Sequence, residues 1–380
     1  MKLEIHVLQN FPPSNLNRDE NGMPKSTQFG GFPRARISSQ CQKRATRLYY
    51  QQYADLDQAH VAQRSRSWLP QLITKLTDQR IELAPAETAG KLALGKLGAS
   101  FKENDQVSNT ILFLGNTEID EIAALLVQNW FSIAPEIAGK KPALPKEIEK
   151  GIEKVLQGSK KSGDVSLFGR MMASFPMGNV DAAVQVSHGI STNRLEQEFD
   201  FFTAVDDLAA EDSTGADHMG DTGYNSSCFY RFACLDIVQL QKNLGSETRE
   251  ELTQIARAFV EGFVLAVPSG YQNAFAAYTR PSAILLVARN GQPVSLVDAF
   301  ETPVRPRASE SLVELSLSRL DRQWQALQSL YGDGDVVYAG IACPDHLASN
   351  LTALSDKRVS SFADAVNAAL AAAVVSNNAV

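Results

Sequence analysis

Gln40, Lys43, Arg44 and Arg47 stand at i, i+3, i+4 and i+7, a spacing that puts four polar or cationic side chains on one face of a helix. Ser38 and Ser39 precede them and offer an N-cap, so the sequence predicts a helix over Gln40–Gln52 whose N-terminal amides and dipole favour a phosphate. Lys25, Arg34 and Arg36 lie just upstream, beside the pair Gly30-Gly31, which lets a backbone come close. From Asn21 to Ala54 there are six basic residues and no acid over 34 positions. Such a surface suits a nucleic-acid backbone, with little reading of base edges. A merely solvated basic face would look the same on this pattern alone. His188 and His218 lack a second His or Cys at ligand spacing and are expected to be structural or surface residues. No metal site and no cofactor is expected, and neither a nucleophile–base pair, a P-loop nor a redox motif stands out.

The basic stretch is unusual for its setting. The 380-residue chain has a net charge of −7 and a pI near 5.4, which on average argues mildly against a nucleic-acid partner. From Glu196 to Asp221 the imbalance inverts, with nine acids and no Lys or Arg. That stretch is either a solvating loop or a surface that meets the basic region, or the lysine-rich insertion, of another copy, a contact that continues head to tail. Four cysteines are too few and too scattered for a disulfide framework or a zinc knuckle. With no signal peptide and no apolar run of spanning length, a soluble, cytoplasmic protein is expected, with no membrane partner.

The elements that must hold these residues follow from periodicity. Residues 2–9 alternate Leu3, Ile5 and Val7 with Lys2, Glu4 and His6, as a half-buried strand does. Phe11 to Pro33 is expected to be irregular. Residues 55–164 look like a separate helical insertion, with helices at Trp68–Leu76 and Glu118–Ile133 and a solvated, lysine-rich helix and linker at Lys140–Lys161. Residues 199–227 suggest an exposed hairpin or a mobile loop. Strands are expected at Cys228–Val238, 282–289 and Val336–Ala342, and helices at Ser246–Ala266 and Phe362–Val375. Phe229-Tyr230-Arg231-Phe232 is expected to pack in the core rather than to stack bases. Strand–helix units at both ends of the chain predict an α+β, ferredoxin-like core.

The run LNRDENGMPKSTQFGGFPRARISSQCQKRATR (Leu16–Arg47) resembles the N-terminal signature of the CasC-type backbone subunits of type I-E CRISPR Cascade complexes. The resemblance continues at GRMM (Gly169–Met172), FFTAVDD (Phe201–Asp207), CFYRFACLDIVQLQKNLG (Cys228–Gly245) and VPSGYQNAFAAY (Val267–Tyr278), and weakly at DAFE (Asp298–Glu301). It implies a hand-like fold: an RRM-like palm at 1–54, 165–198 and 228–380, helical fingers at 55–164 and a thumb hairpin at 199–227. It also implies a non-catalytic subunit whose copies stack head to tail on CRISPR RNA and kink it at intervals. Its other partners would be further Cascade subunits and, through the guide, target DNA. Carried onto this chain, backbone contacts fall to Arg18, Lys25, Ser38, Gln40, Lys43, Arg44 and Arg47. Met171 would pack on bases beside the kink. Phe201, Phe202, Thr203 and Val205 would form the wedge at the thumb base, and Met219 would lie near its tip. The alternatives weighed are a metal-dependent ribonuclease using Asp19 and a general single-stranded RNA chaperone.

Overall fold

A computed structural model describes the chain except residues 103–104, 159, 205–217, 246–247, 308 and 376–380. It divides into two compact units: residues 1–52, 185–236 and 256–380 in the first, and residues 53–184 and 237–255 in the second.

The first unit is built on an antiparallel sheet. Its strands are β1 (Lys2–Ser14), β2 (Ser26–Phe29), β3 (Phe32–Ile37), β4 (Gly189–Ser191), β5 (Glu198–Ala204), β6 (His218–Asp236), β7 (Ala283–Arg289) and β8 (Val336–Ala342). They run β8-β7-β1-β6-β4-β3-β2, with β5 paired to the outer part of β6. The helices are α1 (Ser39–Tyr53), α2 (Arg249–Leu265, entering this unit at Ala256), α3 (Leu312–Tyr331) and α4 (Phe362–Val375).

The alternation in β1 marks a strand, but one buried on both faces. Leu3, Ile5 and Val7 are fully buried, and so are Glu4 and His6. The polar face is covered because each group finds a partner: Glu4 Oε1 accepts from Arg289 Nε at 2.7 Å, and His6 Nδ1 lies 2.9 Å from the Tyr230 hydroxyl. Phe229, Tyr230 and Arg231 are buried in β6 as expected. Much of the stretch expected to be irregular is ordered: β1 runs on to Ser14, and β2 and β3 form a hairpin around Gly30-Gly31. With φ of +60° and +80° at these glycines, the turn has the left-handed pair that a two-residue hairpin demands.

The second unit is mostly helical, around a core that includes Trp68, Leu72, Leu94, Ile122 and Ile152. The expected helix at Glu118–Ile133 is two helices, Asn116–Gln128 and Trp130–Ile137, broken at Asn129. The lysine-rich stretch is not simply solvated. Its helix (Lys146–Gln157) buries Ile148, Ile152 and Leu156, and Lys161 is itself buried, donating to the Leu156 carbonyl. Nor does the unit end at 164. Met172 and Phe175 belong to its core, and the buried Asn243 amide donates to the carbonyls of Ser166 (2.9 Å) and Asp181 (2.7 Å). Residues 165–184, expected in the palm, therefore pack with the helical unit.

Candidate nucleic-acid interface

The loop between β1 and β2 is shaped by its own polar side chains. Asp19 Oδ1 accepts the amide N–H groups of Asn21 and Met23, each at 2.9 Å, which makes residues 19–23 a tight turn. The fully buried Asn15 donates to the carbonyls of Gly22 and Gly223, both at 2.9 Å, fastening the turn to the base of the β5–β6 hairpin. Lys25 donates its N–H to the Asn17 carbonyl at 2.8 Å, Arg36 donates to the Lys25 carbonyl at 2.9 Å, and Asn17 Oδ1 accepts the Ser38 N–H at 2.8 Å. This ladder brings Lys25, Arg36 and the start of α1 together.

Arg18 projects from the loop, exposed, with its guanidinium carbon 4.5 Å from the centre of the Tyr271 ring. Tyr271 adopts φ +48°, left-handed backbone that a side chain disfavours. The preceding Gly270 touches the loop so closely that a Cβ there would lie 2.4 Å from the Leu16 carbonyl oxygen. The VPSGYQNAF motif thus backs the NRD turn.

Along α1 the two faces separate cleanly. Gln42, Thr46 and Tyr50 face inward, while Gln40 and Arg44 are exposed and Lys43 and Arg47 half-buried. Ser38 caps the helix: its Oγ accepts the Cys41 N–H at 3.2 Å and the residue is only 6% exposed, so it serves the surface from beneath. The next amide is also taken, because Ser39 N–H donates to His188 Nδ1 at 2.9 Å. These bonds leave less of the expected phosphate cradle of bare amides. His188 is exposed, and burial together with the charges of Arg36 and Lys25 pulls its pKa down. Cys41 is shifted up by burial, against the pull of Lys25, Arg44 and Arg231. Lys25, Arg36, Arg44 and His188 therefore share one electrostatic neighbourhood.

Arg34, counted with the cationic surface from sequence, belongs to the core. It is fully buried, and its guanidinium donates to the carbonyls of Ser191 (2.7 Å), Thr192 (3.2 Å), Phe300 (2.6 Å) and Glu301 (2.9 Å). The FGGFPRAR and DAFE motifs meet here. A Cβ on Gly30 would lie 1.9 Å from the Glu301 carbonyl oxygen, so it is the protein's own backbone that approaches this glycine.

Beyond the loop, β5 and β6 form the expected hairpin, in register from Glu198 with Tyr224 to Ala204 with His218. Phe199 and Phe201 are 59% and 64% exposed, and strand alternation puts them on one face and Phe202 on the other. The Phe202 ring lies across Gly220, where a Cβ would come within 2.6 Å of it. Thr203 pairs with Met219 through the backbone, which puts Met219 in the strand, and Val205 lies outside the described residues.

Met171 belongs to the second unit. Around it, Gly169 takes φ +74°, Arg170 is buried against Glu118 with its closer oxygen at 2.6 Å, and Met172 is in the core. Met171 alone of the four is thrust out, 87% exposed.

Asp19, the residue of the ribonuclease alternative, spends one carboxylate oxygen on its turn. Among the described residues no group of three or more His, Cys, Asp or Glu gathers to hold a metal ion. Sequence reasoning missed His188 and Tyr271 as parts of this surface. The only signal for Tyr271 was its place within the Val267–Tyr278 motif, and His188, outside every motif, had none.

The family model described as "CT1975-like protein" matches residues 3–368. A chain of a solved structure titled "CRISPR RNA-guided surveillance complex, pre-nicking" is 30% identical, with 98% of this chain and 100% of that one covered and a TM-score of 0.87. Another, titled "CRISPR RNA-guided surveillance complex", shares the fold at 23% identity, with the same coverages and a TM-score of 0.75. No curated protein matches.

Proposed function

The chain belongs to the CT1975-like family, and from that premise we propose that it is a non-catalytic, CRISPR RNA-binding backbone subunit of a type I-E Cascade surveillance complex. The observation that carries the proposal is the convergence of Arg18, Lys25, Arg36, Gln40 and Arg44 on one surface of the first unit, held by a backbone ladder. Such a surface grips phosphates and ignores base identity, as a guide of any sequence requires, and sequence specificity passes to base pairing with target DNA.

The order β7-β1-β6-β4, with α1 after β1 and α2 after β6, supports the reading of a β–α–β–β–α–β ferredoxin-like, RRM-like palm. The helical unit would be the fingers and the β5–β6 hairpin the thumb. In the assembled complex, copies stack head to tail in the cytoplasm beside other Cascade subunits. Met171, Phe201 and Phe202 are exposed apolar groups for bases beside each kink, aromatic stacking being worth about 1–3 kcal/mol per base. The wedge at the thumb base is assigned to Phe201, Phe202, Thr203 and Val205, and Met219 to the thumb near its tip. Among the described residues no helix is long and apolar enough to cross a membrane.

The test is to purify the protein with whatever nucleic acid accompanies it. Short RNA of uniform length, protected from nuclease at regular intervals and lost in Lys43→Glu/Arg44→Glu, is expected. A protein that binds no single-stranded RNA even with its partner subunits supplied would overturn the proposal, and a metal-dependent cut abolished by Asp19→Ala would replace it with the nuclease.

A further inference from the structure

We propose that His188 is a direct RNA-backbone contact, its neutral imidazole donating the Nε2 hydrogen to a phosphate oxygen. The proposal rests on the RNA-binding function above and adds a residue to it.

The ring's protonation pattern follows from one hydrogen bond. Ser39 N–H donates to Nδ1 at 2.9 Å, so Nδ1 is an acceptor and the neutral ring carries its hydrogen on Nε2. The helix amide is thereby used up, and the donor capacity of this corner moves from the backbone to the outer nitrogen of an exposed ring. Nε2 has no partner among the described residues.

The ring stands on a rigid base. Ser187 donates its N–H to the Phe232 carbonyl at 3.0 Å and its Oγ–H to the same oxygen at 3.1 Å, and its own carbonyl accepts from Gln42 Nε2 at 2.8 Å. On the other side Gly189 pairs with Ile37, and a Cβ there would lie 3.3 Å from Arg231 and 3.4 Å from Gln42. Both neighbours of His188 are therefore fixed to the sheet and to α1. A donor held this firmly loses little conformational freedom on binding.

The surroundings choose the ligand. The charged groups that act on the ring are Arg36 and Lys25, a positive field that suits an anion's oxygen. These cations also disfavour a charged ring, which keeps Nδ1 free to accept from Ser39 at neutral pH. A neutral donor near two cations supplies direction where they supply charge.

The experiment measures binding of a labelled single-stranded RNA oligonucleotide to the full chain across a salt series, for wild type, His188→Leu and His188→Gln. Leucine should weaken binding about 10- to 150-fold, the loss of one hydrogen bond to a charged group. The slope of log affinity against log salt should not change, because no charge is removed. Glutamine, which can accept from Ser39 and donate outward, should recover most of the affinity. Unchanged affinity in His188→Leu would overturn the proposal. So would a slope lowered by about 0.7 or more, the signature of a lost Lys or Arg contact, which would make His188 only a cap that positions α1. If the leucine variant fails to fold, ring-nitrogen NMR on wild type decides. An Nε2-protonated ring whose Nε2 resonance moves when RNA is added is expected, whereas an Nδ1-protonated ring or an unmoved resonance would refute the contact. Failure of wild type to bind RNA would instead remove the function on which the contact rests.

Discussion

Arg34→Met separates the cations that hold the fold from those that face a ligand. Methionine fills much of the same volume but donates nothing. Of the four carbonyls that the guanidinium serves, Thr192 keeps the N–H of Val304 at 2.8 Å, while those of Ser191, Phe300 and Glu301 lose a charged donor. Hydrogen bonds to charged groups are worth about 1.5–3 kcal/mol each but do not add when one side chain makes them all, so the expected loss is about 3–5 kcal/mol. The loss should be local before it is global, because this fork ties the β2–β3 hairpin to residues 191–192 and 300–301. Native-state hydrogen exchange reads it directly: amides of β3, β4 and residues 300–304 should lose protection by roughly 150- to 5,000-fold, with those of the helical unit far less affected. Arg36→Ala and Arg44→Ala should do the opposite, leaving exchange unchanged while weakening RNA binding and lowering the salt slope by about 0.7 each. Exchange within threefold of wild type in Arg34→Met, together with weakened RNA binding, would refute the assignment and return Arg34 to the surface.

Three further outcomes are expected. Tyr271→Leu should weaken RNA binding about 2- to 5-fold by releasing Arg18, with Tyr271→Phe close to wild type; a double-mutant cycle with Arg18→Ala that gave purely additive losses would break the link. Glu118→Gln should destabilise the helical unit by about 3–5 kcal/mol, since Arg170 then keeps a buried charge without its carboxylate; exchange at residues 112–128 and 163–180 measures this. For Glu4, burial pushes the carboxyl pKa up but is outweighed by His6 and Arg289, so its folded-state pKa lies below the ordinary value. A lowered carboxyl pKa adds stability above the unfolded-state value of about 4.3, and that stability is lost as pH falls below it toward the folded-state pKa. Urea midpoints measured from pH 6 down to pH 3 should show that acid limb flattened in Glu4→Gln.

What the sequence made legible was local. The face of α1 follows from spacing within two turns, and the hairpin glycines announce themselves by type, because both signals lie within a few residues of what they determine. The strand at residues 2–9 was visible for the same reason, but the burial of Glu4 was not, since its partner Arg289 lies 285 positions away. The boundary at 164 failed similarly. Lysines at 140–161 suggest a solvated linker until Asn243, 77 residues from Ser166, draws the following segment into the helical unit.

The same limit governs the interface. Charge and spacing present the six cations of Asn21–Ala54 as equals, and only long-range partners sort them. Arg34 is claimed by carbonyls 157 to 267 positions away, and what remains on the surface is the set the core did not use. His188 is the converse: 149 positions separate it from Ser39, so no local pattern could mark it, yet that single bond decides which of its nitrogens carries the hydrogen. A composition-based argument therefore counts one cation too many and one donor too few. If the sorting is right, the salt slope of RNA binding should respond to Lys25, Arg36 and Arg44 and be blind to His188, and Arg34 should matter only through the stability of the fold.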